Sequence, residues 1–360
     1  MHGMIDFYKG KKVFITGHTG FKGSWFIRIL LHMGARLCGY SLGVPTSPSL
    51  FNLLNLENEI DNVEGDVTDL EKLTTVIKKF NPDLVFHFAA QPIVRQSYID
   101  PVSTYKTNVM GTVNILEAIR SLNNVGSFVN VTTDKVYLNK EWVWGYREDE
   151  VLDGFDPYSN SKSCSELVTH CYINSFFRDL PISTVRSGNV IGGGDFAVDR
   201  IIPDCFRSIA DKENIIVRNP FSVRPYQHVL EALNAYLLVA FSQYNDNKKS
   251  GAFNVGPDDC DCVTTGQLVS KFCNYWGNGV SWESSYDEFA PHEATFLKLD
   301  CSKIKSTLNW HPQWHIDTSL QKTADWYKTY LYERNITNIT DFQIKDYFDN
   351  EQKNSSSIRG

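Results

Sequence analysis

One short turn constrains the fold of this chain more than any other feature. The stretch Gly17–Gly23 reads Gly-His-Thr-Gly-Phe-Lys-Gly, between an apolar strand at Lys11–Thr16 and helical spacing at Ser24–Met33. Glycines let the backbone approach a pyrophosphate, and a helix start offers free N–H groups. This context predicts a dinucleotide site, although the glycines alone fit a plain strand–helix turn equally well. The candidate cofactor contacts are Gly17, His18, Thr19, Gly20, Phe21, Lys22 and Gly23.

Strands and helices alternate after this turn. Predicted strands lie at Arg36–Tyr40, Asn62–Gly65, Asp83–Phe88, Ser127–Val131 and Ile182–Arg186, and predicted helices at Thr68–Phe80, Val102–Ser121 and Tyr158–Arg178, with Thr68 as a cap. Such alternation predicts an α/β fold, a doubly wound parallel sheet of Rossmann type with a smaller C-terminal substrate-binding lobe. We expect the dinucleotide domain at 1–187, joined by 229–250 and part of 295–330. The lobe would comprise 188–228 and 251–294, before a disordered polar tail at 345–360.

Composition excludes several classes of protein. The 360 residues carry a net charge of −7 with no basic stripe, which argues against nucleic-acid binding. No apolar run reaches the roughly 20 residues of a membrane span, and no export signal precedes residue 12, so we expect a cytoplasmic protein that does not bind membranes. The eight cysteines match neither zinc-binding nor Cys-x-x-Cys spacing, so no metal site is expected.

The residues alone leave the type of dinucleotide open. An NAD site usually has an acid about 20 residues after the glycine turn, but 36–43 contains no Asp or Glu, so NAD and NADP are equally compatible. Asp66, after the third strand, could accept from the adenine amino group or could begin a helix cap. Ala89 and Ala90, before Gln91, are small enough for a cofactor to lie against the backbone.

A tyrosine–lysine pair supplies candidate catalytic groups. Tyr158 and Lys162 are four residues apart and would project from one face of a helix that Pro157 begins. A nearby ammonium would lower the phenol pKa, so that the tyrosine could act as a base near neutral pH. Thr132 and Thr133 end a predicted strand, and Thr133 lies 25 residues before Tyr158. Tyr-x-x-x-Lys is a weak signal alone, but this order behind a glycine turn is specific.

With these motifs the chain resembles the extended short-chain dehydrogenase/reductase family, from about Lys11 to about Trp314. The resemblance implies that Thr133 and Tyr158 hold a sugar hydroxyl, and that Lys162 binds the nicotinamide ribose of NAD and tunes Tyr158. The resemblance also implies that Val67, Thr107 and Ser187 contact the cofactor. It implies that Gln91 contacts both the cofactor and the substrate.

Asp134-Lys135, directly after Thr133, narrows the resemblance to the nucleotide-sugar 4,6-dehydratases. Dehydration needs an acid that protonates the departing 6-hydroxyl and a base that takes the proton from carbon 5. The pair resembles that of the CDP-glucose branch, whereas the dTDP-glucose branch carries Asp-Glu. Without the resemblance, Asp134 could be a capping residue and Lys135 a solvated lysine. Further similar stretches are Gly17–Trp25, Phe86–Tyr98, Glu141–Arg147, Asp156–Lys162, Gly188–Asp195, Arg224–Val229 and Pro291–Asp300.

The resemblance also implies a nucleotide-sugar substrate, whose diphosphate needs cations. Arginine's planar fork suits phosphate oxygens, although each arginine here could equally form a surface ion pair. The candidate substrate residues are Gln91, Arg95, Asn189, Arg200, Arg218, Arg224, His228, His292 and Glu293. Helices of this family pair across a dimer, so we expect a homodimer or homotetramer.

Several functions remain open at this point. The expected activity is the conversion of CDP-glucose to CDP-4-keto-6-deoxyglucose, in deoxysugar and surface-polysaccharide biosynthesis. A related hexose or heptose nucleotide could be the substrate instead. A sugar-nucleotide epimerase or reductase would need only Thr133, Tyr158 and Lys162 and would leave Asp134 and Lys135 idle. A non-catalytic, cofactor-binding scaffold protein is a further alternative, which the full set of motifs disfavours.

Overall fold

A computed structural model describes residues 2–285 and 295–357. The strands of the main sheet and of the lobe follow one another along the chain. They are β1 Lys12–Thr16, β2 Arg36–Ser41, β3 Asp61–Glu64, β4 Leu84–His87, β5 Ser127–Val131, β6 Ile182–Ser187, β7 Val190–Ile191, β8 Ile215–Val217, β9 Val223–Arg224, β10 Gln227–His228, β11 Ala252–Val255, β12 Val263–Thr264 and β13 Trp282–Ser284.

Helices connect these strands and cover the sheet. They are α1 His2–Tyr8, α2 Phe21–His32, α3 Leu50–Leu53, α4 Leu70–Phe80, α5 Val94–Ile99, α6 Pro101–Tyr105, α7 Gly111–Arg120, α8 Pro157–Ser175, α9 Ile201–Asp211, α10 Val229–Asn245, α11 Thr265–Trp276, α12 Ser302–Leu308, α13 Ile316–Lys328 and α14 Ile336–Ser357. A π-helical turn, Lys106–Met110, joins α6 to α7, and a 3-10 turn, Asp134–Val136, follows β5. Among the described helices, none is both long and apolar enough to cross a membrane.

The main sheet is parallel throughout, with strand order β3-β2-β1-β4-β5-β6-β11. This confirms the predicted α/β class. The order reverses direction between β1 and β4, where open α/β sheets bind their ligands. The glycine turn follows β1, and Ala89 follows β4, so both lie at this switch point.

Helices pack on both faces of the sheet because the apolar strand residues alternate between the two faces. In β1, Val13 and Ile15 belong to a core shared with α2 and α10, whereas Phe14 belongs to the core under α4 and α7. On the first face, α1 adds a hydrogen bond from the Tyr8 hydroxyl to the carbonyl oxygen of Leu237, at 2.8 Å. The sequence analysis did not predict α1.

The second part of the chain forms short strand pairs, β7 with β10, β8 with β13 and β9 with β12, with α9, α11 and α13 beside them. One predicted boundary is wrong. Residues 251–294 were assigned to the lobe, but β11, Ala252–Val255, pairs with β6 as the seventh strand of the main sheet. The helix α10, within 229–250, packs against β5 and β6, as expected for a segment that rejoins the sheet.

Two local expectations are also wrong. Asp69 rather than Thr68 caps α4, because its Oδ1 accepts from the Lys72 N–H at 3.0 Å. The tail expected to be disordered from 345 continues α14, and Tyr347 and Phe348 are buried. Aromatic side chains within the polar composition give this helix an apolar contact with the core.

Two glycine substitutions test how closely the glycine turn approaches the end of β4. Gly17 has φ +72, and a Cβ there would lie 2.6 Å from the Ala89 nitrogen, whereas Gly10 has φ +77 with open space around it. Gly10→Ala should cost about 1–2 kcal/mol of unfolding free energy for its left-handed backbone. Gly17→Ala should cost at least about 1 kcal/mol more, since the backbone of β4 must move. Urea unfolding measures both, and equal costs would contradict the close approach of the two strand ends.

Candidate active site

The glycine turn leaves the start of α2 open to an anion. Gly20 is the N-cap, and neither a capping side chain nor an acidic residue in the first turn occupies the helix N-terminus. The first intrahelical hydrogen bond runs from Ser24 N–H to the Gly20 carbonyl oxygen, so the N–H groups of Phe21 and Lys22 point out of the helix end. These features fit the pyrophosphate of a dinucleotide.

The end of β2, where a ribose would lie, carries neutral groups. Ser41 Oγ is 2.9 Å from Thr19 Oγ1 and 3.1 Å from His18 Nδ1, and His18 Nε2 is 2.7 Å from Asn62 Oδ1. Burial lowers the pKa of His18 to about 4, so the ring is neutral. Arg36 begins β2 and therefore lies at the opposite end of the strand. Residues 37–43 contain neither an acid nor a cation, and the described acid in register with the end of β2 is Glu64 of β3, opposite Ser41.

The predicted adenine contacts lie beyond β3 at the same edge. Asp66 Oδ1 accepts from the Thr68 N–H at 2.8 Å, which is the local turn that the sequence analysis gave as the alternative to adenine binding. Val67 is buried beside Gly111, where a Cβ would come within 2.7 Å of it.

After β4, the side-chain amide of Gln91 is hydrogen-bonded within the protein. Its Nε2 donates to Thr104 Oγ1 at 2.9 Å and to the carbonyl oxygen of Ile93, and its Oε1 accepts from the Ile93 N–H at 2.6 Å. Thr107 lies in the π-helical turn between α6 and α7. Such turns are frequent at functional sites, and sequence periodicity gave no signal for it.

The catalytic candidates Thr133, Tyr158 and Lys162 come together as predicted from their spacing. Thr133 is hydrogen-bonded to Tyr158 and donates to Asp134 Oδ1 at 3.0 Å. The Lys162 ammonium, 3% exposed, donates to the carbonyl oxygen of Val131 at 2.9 Å. The end of β5 and the first turns of α8 thus form one cluster.

The prediction that Lys162 lowers the Tyr158 pKa is wrong for this arrangement. Burial raises the pKa of Tyr158 to about 12, and the hydrogen bond with Thr133 and the charge of Arg200 offset this only in part. Burial also lowers the pKa of Lys162 to about 8, opposed by Glu166. Lys162 and Tyr158 have no resolved effect on one another's pKa in this structure.

Asp134 and Lys135 lie beside this cluster, in the 3-10 turn after β5. Burial raises the pKa of the Asp134 carboxyl, while Lys135, Thr133 and Arg224 act in the opposite direction. Its Oδ2 is buried and has no hydrogen-bond partner among the residues that the structure describes. Lys135 is half-buried, and its backbone N–H contacts Thr133 Oγ1 at 3.4 Å. A carboxyl with a free, desolvated oxygen can donate a proton to a ligand.

Cations surround the cluster on the lobe side. Arg200 interacts electrostatically with Tyr158 and is paired to Asp195 at 3.0 Å, while Arg224 acts on Asp134. The ammonium of Lys22 belongs to the same group. Burial lowers its pKa to about 7, with Arg200 and then Lys162 contributing. The sequence analysis assigned Lys22 to the turn but did not place its charge in the catalytic centre.

Three other substrate candidates, Arg95, Arg218 and Asn189, are partly exposed. Arg95 and Arg218 both approach Asp199 Oδ1, at 3.7 and 3.2 Å, and all three side chains are partly exposed. Asn189 is half-buried, and its carbonyl oxygen accepts from the Gln227 N–H at 3.0 Å. On the sheet side, the Ser187 hydroxyl pairs with the Tyr236 hydroxyl at 2.5 Å.

His228, predicted to contact the substrate, lies in the core, and its Nε2 is buried without a hydrogen-bond partner among the described residues. Its ring is fully buried near Trp25 and Trp314, and Nδ1 accepts from the Leu230 N–H at 3.2 Å as the N-cap of α10. Burial lowers its pKa to about 3, which marks a neutral core residue. His292 and Glu293 lie outside the described residues.

The chain matches known proteins along most of its length. Residues 14–323 match the family described as GDP-mannose 4,6 dehydratase. The chain is 48% identical over 354 residues to the CDP-glucose 4,6-dehydratase of Salmonella typhimurium, covering 96% of this chain and 98% of that protein.

Solved structures share the fold at lower identity. The dTDP-glucose 4,6-dehydratase of Bacillus anthracis, in complex with NAD, aligns with a TM-score of 0.75 at 22% identity, over 92% of this chain and 100% of that one. The UDP-glucose 4-epimerase of Thermotoga maritima, with UDP-glucose, aligns with a TM-score of 0.78 at 22% identity, over 89% and 99%. Dehydratases and epimerases therefore share this architecture.

Proposed function

The chain belongs to the GDP-mannose 4,6-dehydratase family, and from that premise we propose that it converts CDP-glucose to CDP-4-keto-6-deoxyglucose with bound NAD. The relative that is 48% identical along nearly its whole length supports the cytidine nucleotide and the sugar. The structural neighbour with NAD and the open start of α2 support the cofactor.

One observation carries the proposal. Asp134 presents a buried Oδ2 without a hydrogen-bond partner among the described residues, next to Lys135 and within reach of the Thr133–Tyr158 pair. An unpartnered buried polar atom costs free energy, and in a catalytic cluster a ligand can complete its hydrogen bonding. The departing 6-hydroxyl of a hexose would be that ligand.

The oxidation half of the reaction uses Thr133, Tyr158 and Lys162. Thr133 and Tyr158 hold the 4-hydroxyl, and Tyr158 takes its proton. NAD, held by the glycine turn and Lys162, would supply the hydride acceptor for carbon 4 and the hydride donor for carbon 6. Lys162, four residues further on the same helix face, would bind the cofactor ribose beside Tyr158.

The elimination half uses Lys135 and Asp134. The ketone at carbon 4 acidifies the proton at carbon 5, and the Lys135 amine takes this proton as the carbon 5–carbon 6 double bond forms. Asp134, whose carboxyl pKa is raised by burial, gives a proton to the 6-hydroxyl, which leaves as water. Lys135 then returns a proton to carbon 5 when carbon 6 is reduced, so the cycle neither consumes nor produces reduced cofactor.

The diphosphate of the substrate is assigned to the lobe side. Arg200 and Arg224 flank the catalytic cluster there, and Asn189 lies at the start of the lobe. Their charges would bind the two phosphates while the sugar points towards Asp134. Arg95 and Arg218, which share Asp199, would act at the rim.

A panel of nucleotide sugars tests the proposal. Purified protein with NAD is incubated separately with CDP-, UDP-, GDP- and dTDP-glucose and with related hexose and heptose nucleotides, and the products are analysed by mass spectrometry. We expect CDP-glucose to lose one water with no net reduction of NAD. An unchanged product mass would point to an epimerase, and stoichiometric reduction of NAD to a dehydrogenase.

Lys135→Met separates the two halves of the cycle. Methionine has a similar length but cannot accept a proton, so carbon 4 should still be oxidised while water loss falls by about 100-fold or more. The bound cofactor would then stay reduced, which stopped-flow absorbance measures. Wild-type turnover in this variant would remove Lys135 from the reaction.

We also propose that the protein is a homodimer or a larger oligomer. Exposed apolar side chains line the α5–α8 side of the molecule, which is where helices of this family pair. They are Ile99, Val102, Met110, Leu167 and Phe176, between 47% and 76% exposed. Light scattering should give at least twice the 41.0 kDa chain mass, and Val102→Glu should reduce it. A wild-type monomer would refute the proposal.

A further inference from the structure

A buried ion pair lies directly behind the catalytic face of α8. Glu166 follows Lys162 by four residues, as Lys162 follows Tyr158, so the three side chains project from one side of the helix. Glu166 is 3% exposed and Arg186, on β6, is 4% exposed. Arg186 Nη2 lies 2.9 Å from Glu166 Oε2. Neither residue takes part in the chemistry described above.

The Glu166 carboxylate connects the helix to two strands. Its Oε1 accepts a short hydrogen bond from the Thr132 hydroxyl, and its Oε2 accepts from the Thr184 hydroxyl at 2.7 Å. Thr132 immediately precedes Thr133 at the end of β5. The orientation of Thr133 towards the helix that carries Tyr158 therefore depends on this carboxylate.

Arg186 extends the connection past the catalytic segment. Its Nη1 donates to the Tyr137 hydroxyl and to the carbonyl oxygen of Glu148, both at 2.9 Å, and Tyr137 donates to Asn254 Oδ1 at 2.6 Å. Tyr137 directly follows the turn Asp134–Val136. The ion pair thus holds this turn from both sides, through Thr132 before it and Tyr137 after it.

Glu166 is also the negative charge that acts on Lys162. The titratable groups that interact with the Lys162 ammonium are Glu166 on its own helix, His87 from β4 and Lys22 from α2, whereas Tyr158, four residues earlier on the helix, shows no resolved effect. Burial lowers the pKa of Lys162 to about 8, and Glu166 opposes this, whereas Arg186 has no resolved effect on it. His87 is neutral, because burial lowers its pKa to about 3, and Lys22 can only repel the ammonium.

We propose that Glu166 is a positioning residue for the dehydration: it holds Thr132, and its negative charge stabilises the Lys162 ammonium. The kinetic part of this inference rests on the proposed function, because it needs the true substrate. The part that concerns Lys162 does not, and it can be measured without substrate.

Two substitutions separate geometry from charge. Glu166→Gln keeps the shape and the acceptor for Thr132 but loses the charge, so Lys162 should lose its proton at lower pH. The alkaline limb of the kcat profile should therefore fall by about one pH unit. Glu166→Asp keeps the charge but shortens the reach to Thr132, so kcat should drop about ten-fold or more while the alkaline limb and KM stay near wild type. A wild-type profile and rate in both variants would overturn the proposal.

Glu117→Gln is the matched control. Glu117 also pairs with an arginine, Arg120, and accepts from a tyrosine, Tyr172, at 2.8 Å, but it lies on α7 away from the site. This variant should keep the wild-type pH profile. An equal shift in Glu117→Gln would mean that the profile reports general stability, and this would overturn the role of Glu166.

Competitive labelling with trace acetic anhydride measures the titration midpoint of Lys162 directly. Mass spectrometry of the peptide that contains Lys162 gives its titration midpoint in the wild type and in each variant, without any sugar nucleotide. A lower midpoint in Glu166→Gln supports the inference even if CDP-glucose proves not to be the substrate. An unchanged midpoint overturns it even if dehydration is confirmed.

The double variant Glu166→Gln/Arg186→Met separates a loss of stability from a direct effect on Lys162. The single glutamine leaves Arg186 charged and unpaired in the core, which is strongly destabilising, whereas the double variant is neutral there. It should regain thermal stability and keep the lowered Lys162 midpoint. A double variant with both the wild-type midpoint and the wild-type rate would show that the pair only stabilises the fold, and would overturn the proposal.

Discussion

The parallel pairing of β1, β4, β5 and β6 places the carboxyl ends of four strands at one edge of the sheet. The glycine turn, Ala89, the Thr133–Lys135 segment and Ser187 come from residues far apart in the chain, yet each lies at or just after the carboxyl end of one of these strands. A slip of one residue in any pair would turn buried side chains towards the opposite face and misplace the groups after the strand. The register of the sheet therefore determines where these groups lie.

Desolvation then determines what the collected groups can do. It raises the pKa values of Asp134 and Tyr158 and lowers those of Lys22 and Lys162, so burial favours the neutral form of all four groups. A neutral carboxyl suits an acid, but a neutral phenol does not suit a base. The burial of these groups therefore favours the elimination. The oxidation needs positive charge near Tyr158, which the bound ligand would supply, and an ionised Lys162, which Glu166 stabilises.

Sequence reasoning succeeded where spacing determines position. The turn Gly17–Gly23, the Tyr158–Lys162 pair and the parallel sheet follow from short-range patterns that the fold must respect. It could not anticipate tertiary contacts such as those of His228, whose polar ring caps a helix between two tryptophans. The strand Ala252–Val255 was missed because four residues at the edge of a mixed region carry little periodicity. Glu166 could have been found by extending the Tyr158–Lys162 face by four residues.

The fold itself does not choose between dehydration and epimerisation, because an epimerase and a dehydratase superpose on this chain with similar TM-scores, 0.78 and 0.75. Epimerisation needs the 4-hydroxyl to be oxidised and the ring to turn over, and it gains nothing from a protonated carboxyl. A buried carboxyl with a free oxygen is costly unless a reaction uses it, and the elimination of the 6-hydroxyl is such a reaction. On the proposed mechanism the choice of chemistry lies in the two residues after Thr133, while the surrounding ion pair and sheet determine where those residues stand.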